Sequence, residues 1–152
     1  MVAQLDTKTV YTFMDSLISI KKYVETAKNL GYQTLGIMDI DNLYGAYHFM
    51  ETATEQGIQP LLGIEMTLDY TGFPLNLRFL ALDSQGYRNL MKLSTLKMIG
   101  KSKWEEFQHL LEGIAIIVPV FEGIETLDLG REFYIGVFPD TPKQAFSHAT
   151  LP

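Results

Sequence analysis

Asp39 and Asp41 flank Ile40 in the stretch MDIDNLYG (residues 38–45), where an apolar run gives way to a helical pattern. Carboxylates just past the C-terminal end of a strand are where open α/β sheets hold ligands. Three readings are available: a working metal site, a helix cap, or the remnant of a lost site. An oxygen-only pair would suit magnesium or calcium, whereas imidazole suits zinc, manganese and iron. The three histidines add little. His48 falls opposite the apolar stripe of its helix, and His109 and His148 lie in late amphipathic stretches without an acidic or imidazole partner at ligand spacing. They read as surface or boundary residues. There is no cysteine, hence neither a thiolate zinc site nor a disulfide framework. No Ser-His-Asp arrangement, phosphate-binding P-loop or dinucleotide fingerprint is present, and GYRNLMKL (86–93) offers no glycine-rich cradle.

The chain has 152 residues and a formal net charge of −6. That balance argues against its being the main surface that holds nucleic acid. One basic run stands out: Arg88, Lys92, Lys97, Lys101 and Lys103, with no acid between Tyr87 and Lys103. It could meet a phosphate or a partner, but a solvated helix face with its exit loop is the favoured reading. Tyr87, Trp104, Phe107 and Phe138 could stack on bases, yet they lie within apolar periodic elements and are expected in the core. The seven methionines are scattered and read as packing filler. No signal peptide and no apolar stretch of the ~18 residues needed to span a membrane is read, so a cytoplasmic setting and no membrane partner are expected.

The elements that must position these residues alternate. A short strand is expected within 2–6. Ser19 caps a helix whose stripe is Ile20, Tyr23, Val24, Ala27 and Leu30, and Gly31 stops it. YQTLGIMDI is a buried strand. Asp41 or Asn42 then caps a helix over 43–56 with the stripe Leu43, Ala46, Tyr47, Met50 and Ala53, ended by Gly57, while Asp39 helps hold the turn. QPLLGIEMTLDY follows as a strand parallel to the previous one. DYTGFP (69–74) is a turn leading into LNLRFLAL as the second arm of a hairpin. Ser84 caps a helix to about residue 98, and a short helix is expected over 104–111. GIAIIVPV and EFYIGVF (132–138) are strands, and DTPKQAFSHAT opens a last helix. The fold class is α/β, with more strands than helices to cover them.

Three stretches carry a family resemblance. The segment from LDTKTVYTFMDS to GIQPLLGIEM, the block FLALDSQGYRNLMKLST, and KSKWEEFQHLLEGIAIIVP resemble, in this order, the N-terminal PHP (polymerase and histidinol phosphatase) domain of bacterial DNA polymerase III alpha subunits. The third has the form seen in low-GC Gram-positive bacteria. The resemblance implies a distorted, TIM-barrel-like (β/α) barrel, with a trinuclear metal site at its C-terminal rim in active members. The family domain is longer, so it also implies that residues 1–152 are the first part of a PHP domain, truncated before barrel closure. The rest of that domain and the polymerase core would lie outside the chain.

Carried over position by position, the family's first His-x-His motif falls on Gln4 and Asp6. An acidic ligand falls on Asp15, and the Thr-Asp-His motif reads Met38-Asp39-Ile40, with isoleucine at the histidine position. Glu65 keeps the carboxylate after PLLGI. The next histidine position is Asn76, and a later ligand near IAIIVP finds only Val118 and Pro119. Two amides and an isoleucine cannot hold a trinuclear cluster. Gln4, Asp6, Asp15, Ile40, Glu65 and Asn76 are therefore expected to be vestigial, with no metal, cofactor or catalytic residue in this segment.

The expected role is structural or partner-binding within a DNA-directed DNA polymerase acting in replication. Partners would be the rest of that chain and replisome proteins. DNA would be met through the parent enzyme, whose own core would use magnesium. The alternatives are a free-standing PHP metal phosphoesterase or 3'-5' exonuclease, and a small acidic interaction module. An open barrel would also leave a strand edge and apolar faces exposed, favouring self-association or limited stability of the isolated chain.

Overall fold

The computed structural model describes residues 3–14, 16–121 and 123–137. The strands are β1 (Ala3–Gln4), β2 (Thr34–Ile40), β3 (Gln59–Tyr70), β4 (Phe73–Ala81), β5 (Ile114–Pro119) and β6 (Tyr134–Gly136). The helices are α1 (Ile20–Asn29), α2 (Ala46–Glu55), α3 (Ser84–Met98) and α4 (Trp104–Phe107), the last continued by a tight turn at Gln108–Leu110. All six strands form one curled sheet in chain order. β1, β2 and β3 run parallel, the β3–β4 and β4–β5 pairs are antiparallel, and β5–β6 is parallel again. The last expected helix and His148 lie outside the described residues, as do Asp15 and Phe138.

Alternation along the strands divides the sheet into two faces. Leu35 and Ile37 of β2, Leu62, Ile64, Met66 and Leu68 of β3, and Leu75, Leu77 and Phe79 of β4 meet the helices in one large core. Val24 of α1, Phe49 of α2, Leu90 and Leu93 of α3, and Trp104 and Phe107 complete it. The concave face has a much smaller apolar cluster of Met38, Leu80 and Ala115, with Leu61 beside it. Gly63 lies at this cluster's centre because a Cβ there would come within 2.4 Å of Met38 Sδ and 2.9 Å of the Phe79 carbonyl.

Local chemistry sets the boundaries. Ser19 Oγ accepts from the Lys22 amide and opens α1, and Gly31 (φ 82°) closes it. Thr71 and Gly72 both have positive φ, 52° and 89°, which gives β3 and β4 the two-residue hairpin turn whose twist matches the strands. Three expectations are corrected. α2 is capped by neither Asp41 nor Asn42 and begins only at Ala46, with Gly45 before it. Asp41 takes a left-handed conformation (φ 58°), and Asn42 Oδ1 accepts from the Tyr44 amide in a side-chain turn, which delays the helix. With that start, Ala46, Phe49, Met50 and Ala53 face the core and Tyr47 is exposed, its hydroxyl reaching Glu51. Finally, Asp83, not Ser84, caps α3, accepting from the Gly86 amide at 2.7 Å.

Candidate functional site

The β2–β3–β4 register builds a cross-strand row on the concave face. Ile40 pairs with Glu65, Glu65 with Arg78, and Arg78 with Ile117. One step further toward the hairpin, Thr67 pairs with Asn76. Asp6 and Lys8 approach this row from the segment that follows β1.

Among the described residues four side chains there form a charge cluster, each only 12–21% exposed. Lys8 Nζ donates to Asp6 Oδ1 and lies 2.7 Å from Glu65 Oε2. Arg78 Nε donates to Asp6 Oδ2 at 2.8 Å, and its guanidinium lies 3.3 Å from Glu65 Oε2. Asn76 completes the cluster. Its amide donates to Glu65 Oε1 at 2.9 Å, and its carbonyl accepts from Arg78 at 2.6 Å. Burial pushes the Asp6 carboxyl upward, but the hydrogen bonds and charges of Lys8 and Arg78 outweigh that and hold it below the usual carboxylate range.

Asp39 is on the other face. It is 2% exposed, and its carboxylate pins the segment between β1 and α1. Thr9 donates its amide to Oδ1 and its hydroxyl to Oδ2, both at 2.7 Å, and the Thr12 hydroxyl donates to Oδ1 at 2.6 Å. Thr12 Oγ1 in turn accepts from the Ile40 amide at 3.2 Å, and the Met38 amide donates to the Thr7 carbonyl at 2.9 Å. Asp41 closes the far end of β2. Its amide donates to the Glu65 carbonyl and its carbonyl accepts from the Ser94 hydroxyl, while its buried Oδ1 has no partner among the described residues. Burial raises its carboxyl, Lys97 opposes the rise and Glu65 adds to it.

Of the positions singled out from sequence, the structure brings Asp6, Glu65 and Asn76 into one hydrogen-bonded cluster and places Ile40 beside Glu65. Gln4 is exposed in β1, and Asp15 lies outside the described residues. His48 and His109 are both exposed. Trp104 and Phe107 are core. In the basic run, Lys97 Nζ donates to the Thr67 carbonyl at 2.6 Å and Lys101 pairs with Glu106 at 2.7 Å. Lys8 and Arg78 were not foreseen. The signal for Arg78 was the pattern LNLRFL, in which polar Asn76 and Arg78 alternate with apolar residues and so share the face opposite the core.

A di- or trinuclear metal site does not fit these residues. Every oxygen of Asp6 and Glu65 is already engaged by Lys8, Arg78 or Asn76, Ile40 offers no donor, and no group of three or more His, Cys, Asp or Glu side chains converges among the described residues.

A curled sheet with its helices on one face and a polar rim on the other defines the class. The PHP domain model matches residues 4–131, and the chain belongs to the PHP domain family. Over 137 residues, 90% of its length, it is 51% identical to a DNA polymerase III subunit alpha of Streptococcus pyogenes serotype M1. It is 29% identical over 128 residues to that of Rickettsia bellii. The chain spans 13% and 11% of these two relatives. Among solved structures, a Bifidobacterium adolescentis protein assigned as a metal-dependent phosphoesterase superposes with a TM-score of 0.57 at 14% identity, covering 77% of this chain and 66% of that one. An amidohydrolase from Chromobacterium violaceum matches with the same TM-score and coverages at 11% identity. At such identities the likeness shows the fold alone. No helix among the described residues is long and apolar enough to cross a membrane.

Proposed function

We propose that this chain is the N-terminal part of the PHP domain of a Gram-positive-type DNA polymerase III alpha subunit, and that its role there is structural or partner-binding rather than hydrolytic. The observation that carries the reading is the charge cluster: the two carboxylates at family ligand positions are saturated by Lys8, Arg78 and Asn76. Metal-assisted phosphoester hydrolysis needs ions that lower the pKa of a bound water and stabilise the phosphoryl group. Here the donors such ions need are spent on side-chain cations, and the position beside Glu65 is the hydrocarbon Ile40.

The parent enzyme would carry out replicative DNA synthesis in the cytoplasm, with magnesium in a polymerase core outside this segment. The segment's partners would be the rest of that chain and replisome proteins, and the parent enzyme, not this piece, would engage DNA. Lys97 and Lys101 are committed to Thr67 and Glu106, which supports the solvated-face reading of the basic run.

The test uses the full-length protein with two assays: primer extension with magnesium, and hydrolysis of a chromogenic phosphodiester with manganese. DNA synthesis without phosphodiester turnover is the expected result. Turnover that disappears on Glu65→Gln would replace this reading with a PHP phosphoesterase or exonuclease.

A further inference from the structure

We propose that Lys8 and Arg78 are built-in counter-cations: they supply at this rim the positive charge that metal ions supply in metal-dependent PHP proteins, and they close the rim to divalent ions. The inference deepens the non-catalytic reading above and rests on it.

Charge is the first argument. Among the described residues two carboxylates converge with one ammonium and one guanidinium, so these four charges balance without any ion. Bringing two carboxylates together without a counter-charge is strongly unfavourable in a site this enclosed.

Oxygen occupancy is the second. Lys8 takes Asp6 Oδ1, Arg78 takes Asp6 Oδ2, both cations share Glu65 Oε2, and Asn76 takes Glu65 Oε1. Neither Asp6 nor Glu65 keeps an oxygen without a partner. A divalent cation entering here would have to displace an ammonium and a guanidinium, against their repulsion.

The third is connectivity. Asp6 and Arg78 are 72 residues apart in sequence. The cluster thus ties the segment after β1 to the β3–β4 hairpin, a long-range cross-link at the rim. Arg78 also fits the task by shape: its planar fork reaches Asp6, Glu65 and Asn76 together, which a single ammonium could not do in that arrangement.

If Lys8 and Arg78 hold ions out, removing both charges while keeping apolar bulk should expose what they cover. Lys8→Met/Arg78→Met leaves Asp6, Glu65 and Asn76 as an oxygen-only donor set. Such a set favours magnesium or manganese over zinc.

The experiment is hydrogen exchange, read by mass spectrometry in the full-length protein, over peptides covering residues 4–9, 63–68 and 75–80. In the natural sequence, neither EDTA nor millimolar manganese should alter exchange. In the double variant, exchange should be on the order of tenfold faster. Manganese or magnesium should restore protection, and adding Asp6→Asn and Glu65→Gln should abolish that rescue. Lys8→Met alone, with Arg78 still present, should show a smaller acceleration and no rescue, which keeps the test available should the double variant fail to fold. The proposal is overturned if EDTA accelerates exchange in the natural sequence, if manganese slows it there, if the variants exchange like the natural sequence, or if the double variant folds and no divalent ion protects it. Those outcomes leave the non-catalytic reading to its own test, because phosphodiester turnover is measured separately.

Discussion

Replacing Asp39 by alanine should release the segment between β1 and α1 while leaving the sheet in place. Three donors lose their acceptor at once: the Thr9 amide, the Thr9 hydroxyl and the Thr12 hydroxyl, now 2.6–2.7 Å from a buried carboxylate. Hydrogen bonds to a charged group contribute about 1.5–3 kcal/mol each, and an unsatisfied buried donor costs about 1–3 kcal/mol. Full additivity would overstate the loss, because the released segment can let water in: Phe13 and Met14 are already 88% and 91% exposed. About 3 kcal/mol is a reasonable local cost, or roughly a 150-fold rise in the opening equilibrium. The assay is hydrogen exchange at the amides of Thr9, Met38 and Ile40, with exchange at Ile64 and Phe79 as internal reference. Asp39→Asn should cost less, about 1–2 kcal/mol, since an amide keeps one acceptor oxygen but leaves the Thr9 hydroxyl without its own. If Asp39→Ala changes the Thr9 and Met38 amides less than fivefold, the carboxylate does not pin this segment and the reasoning fails.

Other expectations concern single positions. Ile40→His places an imidazole beside Glu65 but leaves Lys8 and Arg78 in place, so calorimetric titration should detect no stoichiometric zinc binding; clear one-to-one binding would contradict the blocked rim. Asp41 carries a raised carboxyl pKa with a buried oxygen that has no partner among the described residues, so its ionisation weakens the fold as pH rises through the folded value. The carboxyl is only partly buried, so solvent screening keeps the effect small: Asp41→Asn, which tolerates the same left-handed backbone, should stabilise by about 0.5 kcal/mol at neutral pH and not below the unfolded carboxyl pKa, as read by denaturant titration at two pH values. Asp6 is the opposite case. Its folded pKa is lowered, so its contribution is fully present above the unfolded value of about 3.9 and is lost as pH falls through the folded one. Asp6→Asn should flatten the acid limb of the stability profile, and an unchanged limb would argue that the cluster does not hold Asp6 in its charged form.

Much of the fold was legible because its signals are local. Ser19 marks a helix start by its side-chain oxygen and Gly31 and Gly57 mark helix ends by their left-handed backbone, and the alternation in β3 follows from one face meeting the helices. The start of α2 was misplaced because the left-handed Asp41 and the Asn42 turn consume the residues that seemed to begin it, and a three-residue delay moves Tyr47 off the buried face and Phe49 onto it. Asp39 and Asp41 looked like a pair in MDIDNLYG. Strand alternation instead leaves Asp39 buried against Thr9 and Thr12, while the left-handed Asp41 caps the strand end. Asp6, Glu65 and Asn76 could be named from family positions, but that Glu65 and Asn76 meet Arg78 depends on the β3–β4 register, which a two-residue turn sets, and Asp6 and Lys8 reach them from the segment after β1. A basic residue within a strand carries no label for the carboxylate it will find 72 residues away.

The rim holds either side-chain cations or metal ions, and the two states differ in metal content. The most direct measurement is the metal content of the full-length protein, purified without chelator and analysed for manganese, zinc and iron by mass spectrometry after manganese loading and desalting. With side-chain cations at the rim, contents far below one ion per chain are expected, unchanged by Glu65→Gln. Two or three ions per chain, lost on Glu65→Gln, would contradict that expectation.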